Sequence, residues 1–212
     1  MAELFVIRHG ETEWSRDHRH TGRTDVPLTA RGEEQARLLA PVLKDRPFAL
    51  VLVSPARRAR RTAELAGLLP GGAEAREPGP DAPEVRLDPD LWEWDYGGYE
   101  GMTSAEIRRT RPGWYLWRDG VIPGDADHPG ETAEQVGARA DRVIARVRPV
   151  VAERDAAIVA HGHLLRVLAA RWLGLGPRDG RLFRLDTGSV GVLGFEHGEP
   201  VIRRWNVPVP GL

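Results

Sequence analysis

Three short runs of apolar residues stand far apart along the chain, at positions 4–7, 49–53 and 156–160. Nearly every position in each run is apolar, and β-branched residues are frequent, as is typical of strands buried on both faces. Polar residues or turn formers follow each run directly. The pattern therefore predicts the central strands of a parallel sheet.

Each strand-like run leads to a segment in which apolar residues recur three or four positions apart, the spacing of one helix face. These segments follow Thr29, Pro55 and His161, and Pro55 is expected at the first helical position. A longer helix is predicted from Thr132, because an apolar stripe with helical spacing runs from there to Val151. The repeated unit is thus a strand followed by a helix.

Residues 70–89 and 122–130 are rich in Pro, Gly and Ala with little periodicity, and they are predicted to be loops. The runs at 189–195 and 201–205 flank a His-Gly-Glu-Pro turn, which predicts an antiparallel hairpin at one sheet edge. The expected fold is α/β: a three-layer α/β/α sandwich with a mostly parallel sheet, formed by one domain spanning residues 1–212.

Composition narrows the function classes. Hydrophobic residues make up 41% of the chain and charged residues 29%, as in globular proteins. No apolar run approaches the roughly 18 residues of a membrane span, so a soluble, cytoplasmic protein is expected. The formal net charge of −1 argues against a nucleic-acid or membrane partner and favours a small-molecule ligand.

Two absences exclude specific chemistries. The chain contains no cysteine, so thiolate zinc sites and a cysteine nucleophile are excluded. Lys44 is the single lysine, and no Gly-Lys-Ser/Thr follows a glycine-rich loop, which argues against a Schiff base and a P-loop. Basic chemistry therefore falls to arginine.

Polar clusters follow all three predicted central strands. The first strand leads into Arg8-His9-Gly10, the second into a segment containing Ser54 and Arg58, and the third into His161-Gly162-His163. Ligands of parallel sheets bind beyond the carboxyl ends of the strands, so these clusters are expected to share one rim. Arginine donors match a phosphoryl group in geometry and charge. The rim therefore predicts a phosphate site.

An imidazole is the nucleophile that this rim offers to phosphorus, and His9 is the candidate because Gly10 permits close approach of a ligand. The second imidazole nitrogen must then be fixed as a donor so that the lone pair faces the ligand. A proton donor for the leaving group is expected within residues 91–101, where carboxylates lie among aromatic residues that favour a protonated carboxyl.

These residues resemble the histidine phosphatase superfamily in its phosphoglycerate-mutase-like branch. Four ordered motifs carry the resemblance: Arg8-His9-Gly10-Glu11-Thr12, Ser54-Pro55-Ala56-Arg57-Arg58-Ala59, Leu91-Trp92-Glu93 with Tyr96-Gly97 and Glu100-Gly101, and Ala160-His161-Gly162. It extends from residue 4 to about residue 195 and implies a phosphoglycerate mutase-like fold.

The resemblance also implies residue roles. It makes His9 the site of a phosphohistidine, places Arg8, Arg58 and His161 around the phosphoryl group, and makes Glu93 the general acid and then base. It implies no metal and no cofactor. The substrate side is expected to include Ser15, Thr21, Gly22, Tyr96 and Gly162, with Ser15 standing where many members of the family carry Asn.

Several alternatives stay open at this point. His163 with His161 forms a His-x-His pair that is compatible with a metal site, although no third ligand is evident. Four further residues are candidates for binding a second phosphate or sugar hydroxyls: Arg118, Arg166, His18 and His20. The segment 121–128 lies where the family often covers the pocket. Both a monomer and a homodimer are compatible with the sequence.

The choice between phosphatase and mutase depends on two positions. Phosphoglycerate mutases of this family typically carry Arg where Trp94 stands and Lys where Ser104 stands, and these cations bind the substrate carboxylate. Their absence favours a metal-independent phosphomonoesterase that acts on a small phosphorylated metabolite such as a sugar phosphate. Restoring both cations is expected to improve the use of a phosphorylated carboxylate. The chain resembles the acid phosphatases and sedoheptulose-1,7-bisphosphatases of the branch. The alternatives are a phosphoglycerate mutase and a non-catalytic module that binds a phosphorylated ligand.

Overall fold

The computed structural model describes residues 2–69, 75–76 and 82–208, with seven strands in this part of the chain. The strands are β1 (Leu4–Arg8), β2 (Leu50–Val53), β3 (Ala75–Arg76), β4 (Glu84–Leu87), β5 (Ala156–Ala160), β6 (Val190–Glu196) and β7 (Glu199–Val207). They form one sheet in the order β3-β4-β2-β5-β1-β6-β7. The four central strands are parallel, and β3, β6 and β7 pair antiparallel with their neighbours. The mostly parallel sheet with an antiparallel edge hairpin is confirmed.

The α-helices of the described residues are α1 (Glu13–Arg16), α2 (Ala30–Leu43), α3 (Arg57–Leu65), α4 (Ser104–Thr110), α5 (Leu116–Asp119), α6 (Ala133–Val151) and α7 (Gly162–Trp172). Short 3₁₀ helices span Pro89–Leu91, Gly97–Tyr99 and Pro177–Leu182. Thr29 caps α2 and Thr132 caps α6, each by accepting a backbone N–H in the first turn. None of these helices is long and apolar enough to cross a membrane.

Alternation along the strands builds the three layers. Leu4 and Val6 of β1 face a core that includes α6 and α7, whereas Phe5 and Ile7 face a second core formed with α2 and α3. The same alternation holds in β2 and β5, so both faces of β1, β2 and β5 are covered and these three strands are almost entirely buried. The expected sandwich is therefore present.

Two expectations about local structure are wrong. The loop predicted over residues 70–89 contains β4 and the two residues of β3, while 70–74 and 77–81 lie outside the described residues. Strand β4 was not predicted because it lacks a continuous apolar run: Val85 alone among its residues is fully buried. Helix α3 begins at Arg57 with Ala56 as its N-cap, so Pro55 precedes the helix. The other predicted loop, 122–130, contains no helix or strand.

Strand register brings the polar clusters to one edge of the sheet. Arg8 pairs with Ala160 across β1 and β5, and Val53 pairs with Val159 across β2 and β5. The next residues stay in the ladder, since His9 N donates to Ala160 O at 3.0 Å and Ser54 N donates to Val159 O at 2.9 Å. His9, Ser54 and His161 therefore emerge side by side at the carboxyl ends of the central strands.

A contact between two backbone segments fixes the turn that follows His9. Gly10 and Gly32 pack so closely that a Cβ at Gly10 would overlap the carbonyl of Gly32, and a Cβ at Gly32 would overlap the carbonyl of Glu11. Both partners in this contact are backbone atoms, so no flexible side chain can move aside to admit a Cβ. The first turn of α2 thus fixes the segment after β1.

We expect Gly32→Ala to lower the free energy of unfolding by about 1–3 kcal/mol, because the added methyl overpacks this contact. Gly176→Ala is the matched control, since Gly176 has φ −66° and a Cβ there would meet only Asp179 Oδ2, at 3.5 Å. Urea unfolding of both variants measures the difference. Equal stability of the two variants would show that the 10–32 contact imposes no constraint.

Candidate active site

A cavity of about 200 Å³ opens at the carboxyl edge of the central strands. Its lining residues are Arg8, His9, Ser15, His18, Arg19, His20, Thr21, Glu93, Tyr96, Gly162, His163, Arg166 and Leu185. The lining is rich in imidazole and guanidinium groups, with Glu93 as its single carboxylate. Such a cavity suits an anion of small size.

The ring of His9 is fixed in one orientation. Nδ1 lies 2.7 Å from the carbonyl oxygen of Gly10, and since a carbonyl accepts, Nδ1 carries the proton and donates. The lone pair of Nε2 is then left on the other side of the ring. Burial lowers the pKa of His9 well below its usual value, and the Arg58 and Arg8 cations lower it further. His9 is a neutral imidazole with an unprotonated Nε2.

His161 lies beside His9, with ring centroids 5.1 Å apart. Its Nδ1 accepts from Arg58 Nε at 3.2 Å, so the proton of the neutral ring is on Nε2 and donates to Ser54 Oγ at 2.7 Å. Burial, followed by the charge of Arg58, lowers the pKa of His161 well below its usual value. Arg58 thus fixes the tautomer of His161, and Ser54, which the sequence offered only as part of a motif, accepts the remaining N–H.

Arg8 supplies a buried donor at the cavity. Its Nη1 donates to the carbonyl of Leu185 at 2.6 Å, whereas Nε, also buried, has no hydrogen-bond partner among the described residues. Gly162 leaves room next to this group, because a Cβ there would lie 3.1 Å from Arg8 Nε. An unpaired buried N–H is costly unless a ligand accepts from it. Arg8 Nε therefore marks where an anion would bind.

Arg58 is fully buried at the start of α3 and is held by backbone carbonyls. Nη1 donates to Thr24 O at 3.0 Å, and Nη2 donates to Gly22 O at 3.0 Å and Thr21 O at 3.3 Å. No carboxylate of the described residues lies within 4.0 Å of Arg58 or Arg8. Two cations thus lie close to the cavity without a directly paired anion.

Glu93 is buried at the amino terminus of α7. Its carboxylate accepts three backbone N–H groups, those of Trp94 at 2.9 Å, Leu164 at 2.8 Å and His163 at 3.0 Å. At the amino terminus of α3, in contrast, Arg57 N donates to Asp25 Oδ1 at 2.9 Å. The helix terminus at this site is that of α7, and it fixes Glu93.

Tyr96 and His163 form a pair in the cavity wall. Tyr96 Oη and His163 Nδ1 are 2.6 Å apart, and the imidazole packs against the rings of Trp117 and His20. Burial lowers the pKa of His163 well below its usual value and raises that of Tyr96 well above its own. His163 Nδ1 and both nitrogens of His161 are thus engaged by protein groups, which removes the basis for the metal-pair alternative.

The other predicted substrate-side residues differ in position. Ser15 and Thr21 line the cavity, but the Ser15 hydroxyl donates to Thr12 O and accepts from Thr12 N in the cap of α1. Gly22 lies behind the wall, where its carbonyl accepts from Arg58. Tyr96 and Gly162 line the cavity as expected.

Among the candidates for a second phosphate or for sugar hydroxyls, His18, His20 and Arg166 line the cavity, whereas Arg118 pairs with Asp119 and faces a separate pocket. The loop 121–130 does not line the cavity and packs against Gly98, whose N–H donates to Ile122 O at 2.9 Å. This segment does not cover the pocket in this chain.

Neither of the two positions that distinguish mutases lines the cavity. Trp94 is completely buried, donates from Nε1 to Glu131 O at 2.8 Å and packs edge to face with Trp117. Ser104 Oγ lies 3.4 Å from His20 Nε2. The substitution Trp94→Arg would therefore bury a guanidinium among aromatic rings, so the expectation that this change helps to restore a carboxylate site is wrong for this structure.

Arg139 of α6 is a supporting residue that sequence reasoning missed. It is buried, pairs with Glu131 at 2.7 Å, and donates to the carbonyls of Asp90, Trp92 and Glu93 at 2.7, 2.9 and 3.3 Å. The segment carrying Glu93 is thus attached to α6. The only sequence signal was an arginine on the apolar side of a helix, close to Val136, Ala140 and Val143.

Comparisons with known proteins show which sequences and solved structures the chain is similar to. The model of the histidine phosphatase superfamily, branch 1, matches residues 4–208. An acid phosphatase of Mycobacterium tuberculosis is 39% identical over 197 residues, covering 92% of this chain and 87% of the relative. A sedoheptulose 1,7-bisphosphatase of Saccharomyces cerevisiae is 34% identical over 247 positions, covering 91% and 87%. The solved structure of a Mycobacterium tuberculosis open reading frame product aligns with TM-score 0.84 at 36% identity, covering 98% of both chains.

The histidines make stability depend on pH. Burial lowers the pKa of His20 to about 4. An unfolded chain binds a proton on this residue below about pH 6.5 while the folded protein does not, so stability falls as the pH falls from there toward 4. We expect His20 alone to account for about 2 kcal/mol of the loss between pH 7 and pH 5.

Urea unfolding of His20→Gln at pH 7 and pH 5 measures this contribution, and the variant should lose about 2 kcal/mol less than the unmodified protein. His197→Asn is the control, because His197 is exposed in the β6–β7 turn at φ 52°, a conformation that Asn tolerates. An identical pH dependence for His20→Gln and the unmodified protein would contradict the assignment.

Proposed function

The chain belongs to branch 1 of the histidine phosphatase superfamily, and on that footing we propose that it hydrolyses a small phosphorylated metabolite through a phosphohistidine on His9. The observation that carries the proposal is that His9, with Nε2 unprotonated, lines the same cavity as Arg8, whose buried Nε has no protein acceptor among the described residues. A neutral nucleophile and an unpaired cationic donor at one cavity are what a phosphoryl group requires.

In the first step, His9 Nε2 attacks phosphorus in line and forms the P–N bond as the P–O bond to the leaving group breaks. Glu93 is the proposed general acid, and its carboxyl supplies the proton that the departing oxygen takes up. Arg8 and Arg58 take up the negative charge of the phosphoryl oxygens. We assign His161 to holding Arg58 next to the phosphoryl group, since its Nδ1 accepts from Arg58 Nε at 3.2 Å.

In the second step, water attacks the phosphohistidine, the P–N bond breaks and Glu93, now ionised, accepts the proton of the water. Inorganic phosphate leaves, and His9 returns to its neutral form with Nδ1 still donating to Gly10. The imidazole supplies the nucleophile and the guanidinium groups supply the positive charge. The proposed reaction therefore needs neither a metal ion nor a cofactor.

A sugar phosphate is the substrate class that the cavity favours. Tyr96 Oη and the imidazoles of His20 and His163 are neutral polar groups suited to hydroxyls. Arg19 also lines the cavity, but its guanidinium lies 3.4 Å from the Glu106 carboxylate, which offsets its charge. The yeast relative at 34% identity is named for a sugar bisphosphate. Arg166, with its guanidinium over Trp117, is the candidate for a second anionic group.

We expect His9→Ala to lower the hydrolysis of an aryl phosphate by roughly a thousandfold or more, because no other side chain replaces the covalent nucleophile. Acid-labile, base-stable phosphate labelling of the protein should disappear in the same variant. His197→Asn, which changes an exposed histidine of the hairpin turn, should keep both. A rate in His9→Ala of about a tenth of the unmodified protein would reject the phosphohistidine route.

We also expect the unmodified protein to hydrolyse neutral sugar phosphates with a higher kcat/KM than 3-phosphoglycerate, because Tyr96 and the imidazoles of His20 and His163 offer the substrate neutral polar groups suited to hydroxyls. Phosphate release and the interconversion of 2- and 3-phosphoglycerate, with the bisphosphate primer present, measure the two activities. Primer-dependent interconversion faster than hydrolysis would establish the mutase alternative. Phosphate binding without turnover would instead indicate a non-catalytic module.

A further inference from the structure

Glu100 is a carboxylate near the site that the proposed reaction does not use. It follows the 3₁₀ helix Gly97–Tyr99 and points into the loop 21–24. Oε1 accepts from Gly22 N at 2.9 Å and Thr24 N at 3.1 Å, and Oε2 accepts from Gly22 N at 3.0 Å. The carboxylate thus binds two backbone N–H groups of one short loop.

The carbonyls of the same loop hold Arg58. Thr21, Gly22 and Thr24 each present a carbonyl oxygen to Nη1 or Nη2, at 3.0 to 3.3 Å. The loop has no helix or strand of its own. Its backbone is therefore placed between a carboxylate on the N–H side and a guanidinium on the C=O side.

The fit between Glu100 and the loop is close. A Cβ at Gly22 would lie 2.7 Å from Glu100 Oε2 and 2.7 Å from Trp94 O, so only glycine is accommodated there. Burial raises the pKa of Glu100, and the hydrogen bonds from Thr24 and Gly22 oppose that rise. The charge of Glu100 in turn favours the protonated guanidinium of Arg58.

We propose that Glu100 is the positioning residue of Arg58: it fixes the loop 21–24, whose carbonyls hold the guanidinium in place with its Nε on His161, close to the phosphoryl site. This assignment rests on the proposed function, because Arg58 is taken there to bind the phosphoryl group. Glu100 itself touches neither the cavity nor any reacting atom. Its effect on phosphate must therefore pass through Arg58.

The test is the dissociation constant of inorganic phosphate, measured by titration calorimetry on the full-length protein. We expect Glu100→Ala to weaken phosphate binding about tenfold. Glu100→Gln should weaken it less, because a Gln carbonyl can replace Oε1 as acceptor for Gly22 and Thr24. Asp155→Asn is the matched control: Asp155 also accepts a backbone N–H, from Glu3 at 2.8 Å, at the opposite end of the sheet.

A double-mutant cycle separates positioning from general destabilisation. In an Arg58→Lys background the lysine cannot make the three carbonyl contacts, so adding Glu100→Gln or Glu100→Ala should change phosphate affinity by less than about twofold. Loss of the same size in both backgrounds would overturn the assignment. So would a lowered thermal midpoint with unchanged phosphate affinity. If Glu100→Ala does not fold, the Glu100→Gln cycle decides alone.

Phosphate binding by the unmodified protein separates failure of the proposed function from failure of the role of Glu100. Failure of the unmodified protein to bind phosphate contradicts the proposed function, and the role of Glu100 falls with it. Normal phosphate binding that is insensitive to Glu100 contradicts only the positioning role. Tighter binding in the unmodified protein than in Glu100→Gln, with the difference lost in Arg58→Lys, supports both.

Discussion

The site depends on two guanidinium groups held close to a cavity without a directly paired carboxylate. Arg58 is completely buried and Arg8 has a buried Nε, yet no carboxylate of the described residues lies within 4.0 Å of either group. Backbone carbonyls at the ends of loops replace the missing ion pairs, and Glu93 offsets part of the charge from a distance. The cavity therefore keeps a positive potential that a paired arginine would have lost.

The same charges keep the imidazoles neutral. Burial with Arg58 and Arg8 nearby lowers the pKa of both His9 and His161, so each ring has one N–H and one lone pair. Gly10 O fixes the proton of His9, and Ser54 with Arg58 fixes that of His161. Because the two rings pack edge to face with centroids 5.1 Å apart, two protonated imidazoles would repel one another and the arginines. Neutrality is thus a condition for placing these four groups together.

The fold was predictable where burial is complete, and less so where it is partial. The runs ending at Ile7, Val53 and Ala160 are recognisable as strands in the sequence, because both faces of these strands are covered and nearly every residue is apolar. Their carboxyl ends predicted which histidines and arginines would meet. Strand β4 buries only Val85 fully and was missed. Contacts between distant segments, such as Arg139 with the carbonyls of residues 90–93, leave no periodic signal. At Trp94 the sequence predicted too much: the motif suggested that a cation at this position would reach the substrate. A motif position gives no side-chain direction, and the indole of Trp94 points away from the cavity, to Glu131 O.

A crystal structure with orthovanadate, which mimics the phosphoryl group in transfer, would show which atoms hold that group. We predict vanadium bonded to His9 Nε2, an equatorial oxygen accepting from Arg8 Nε, and Arg58 in contact with the vanadate while its bonds to the 21–24 carbonyls persist. The Glu93 carboxyl should face the apical oxygen opposite His9. Vanadate bound away from His9 Nε2, or bound there with Arg8 Nε still without an acceptor, would contradict this prediction.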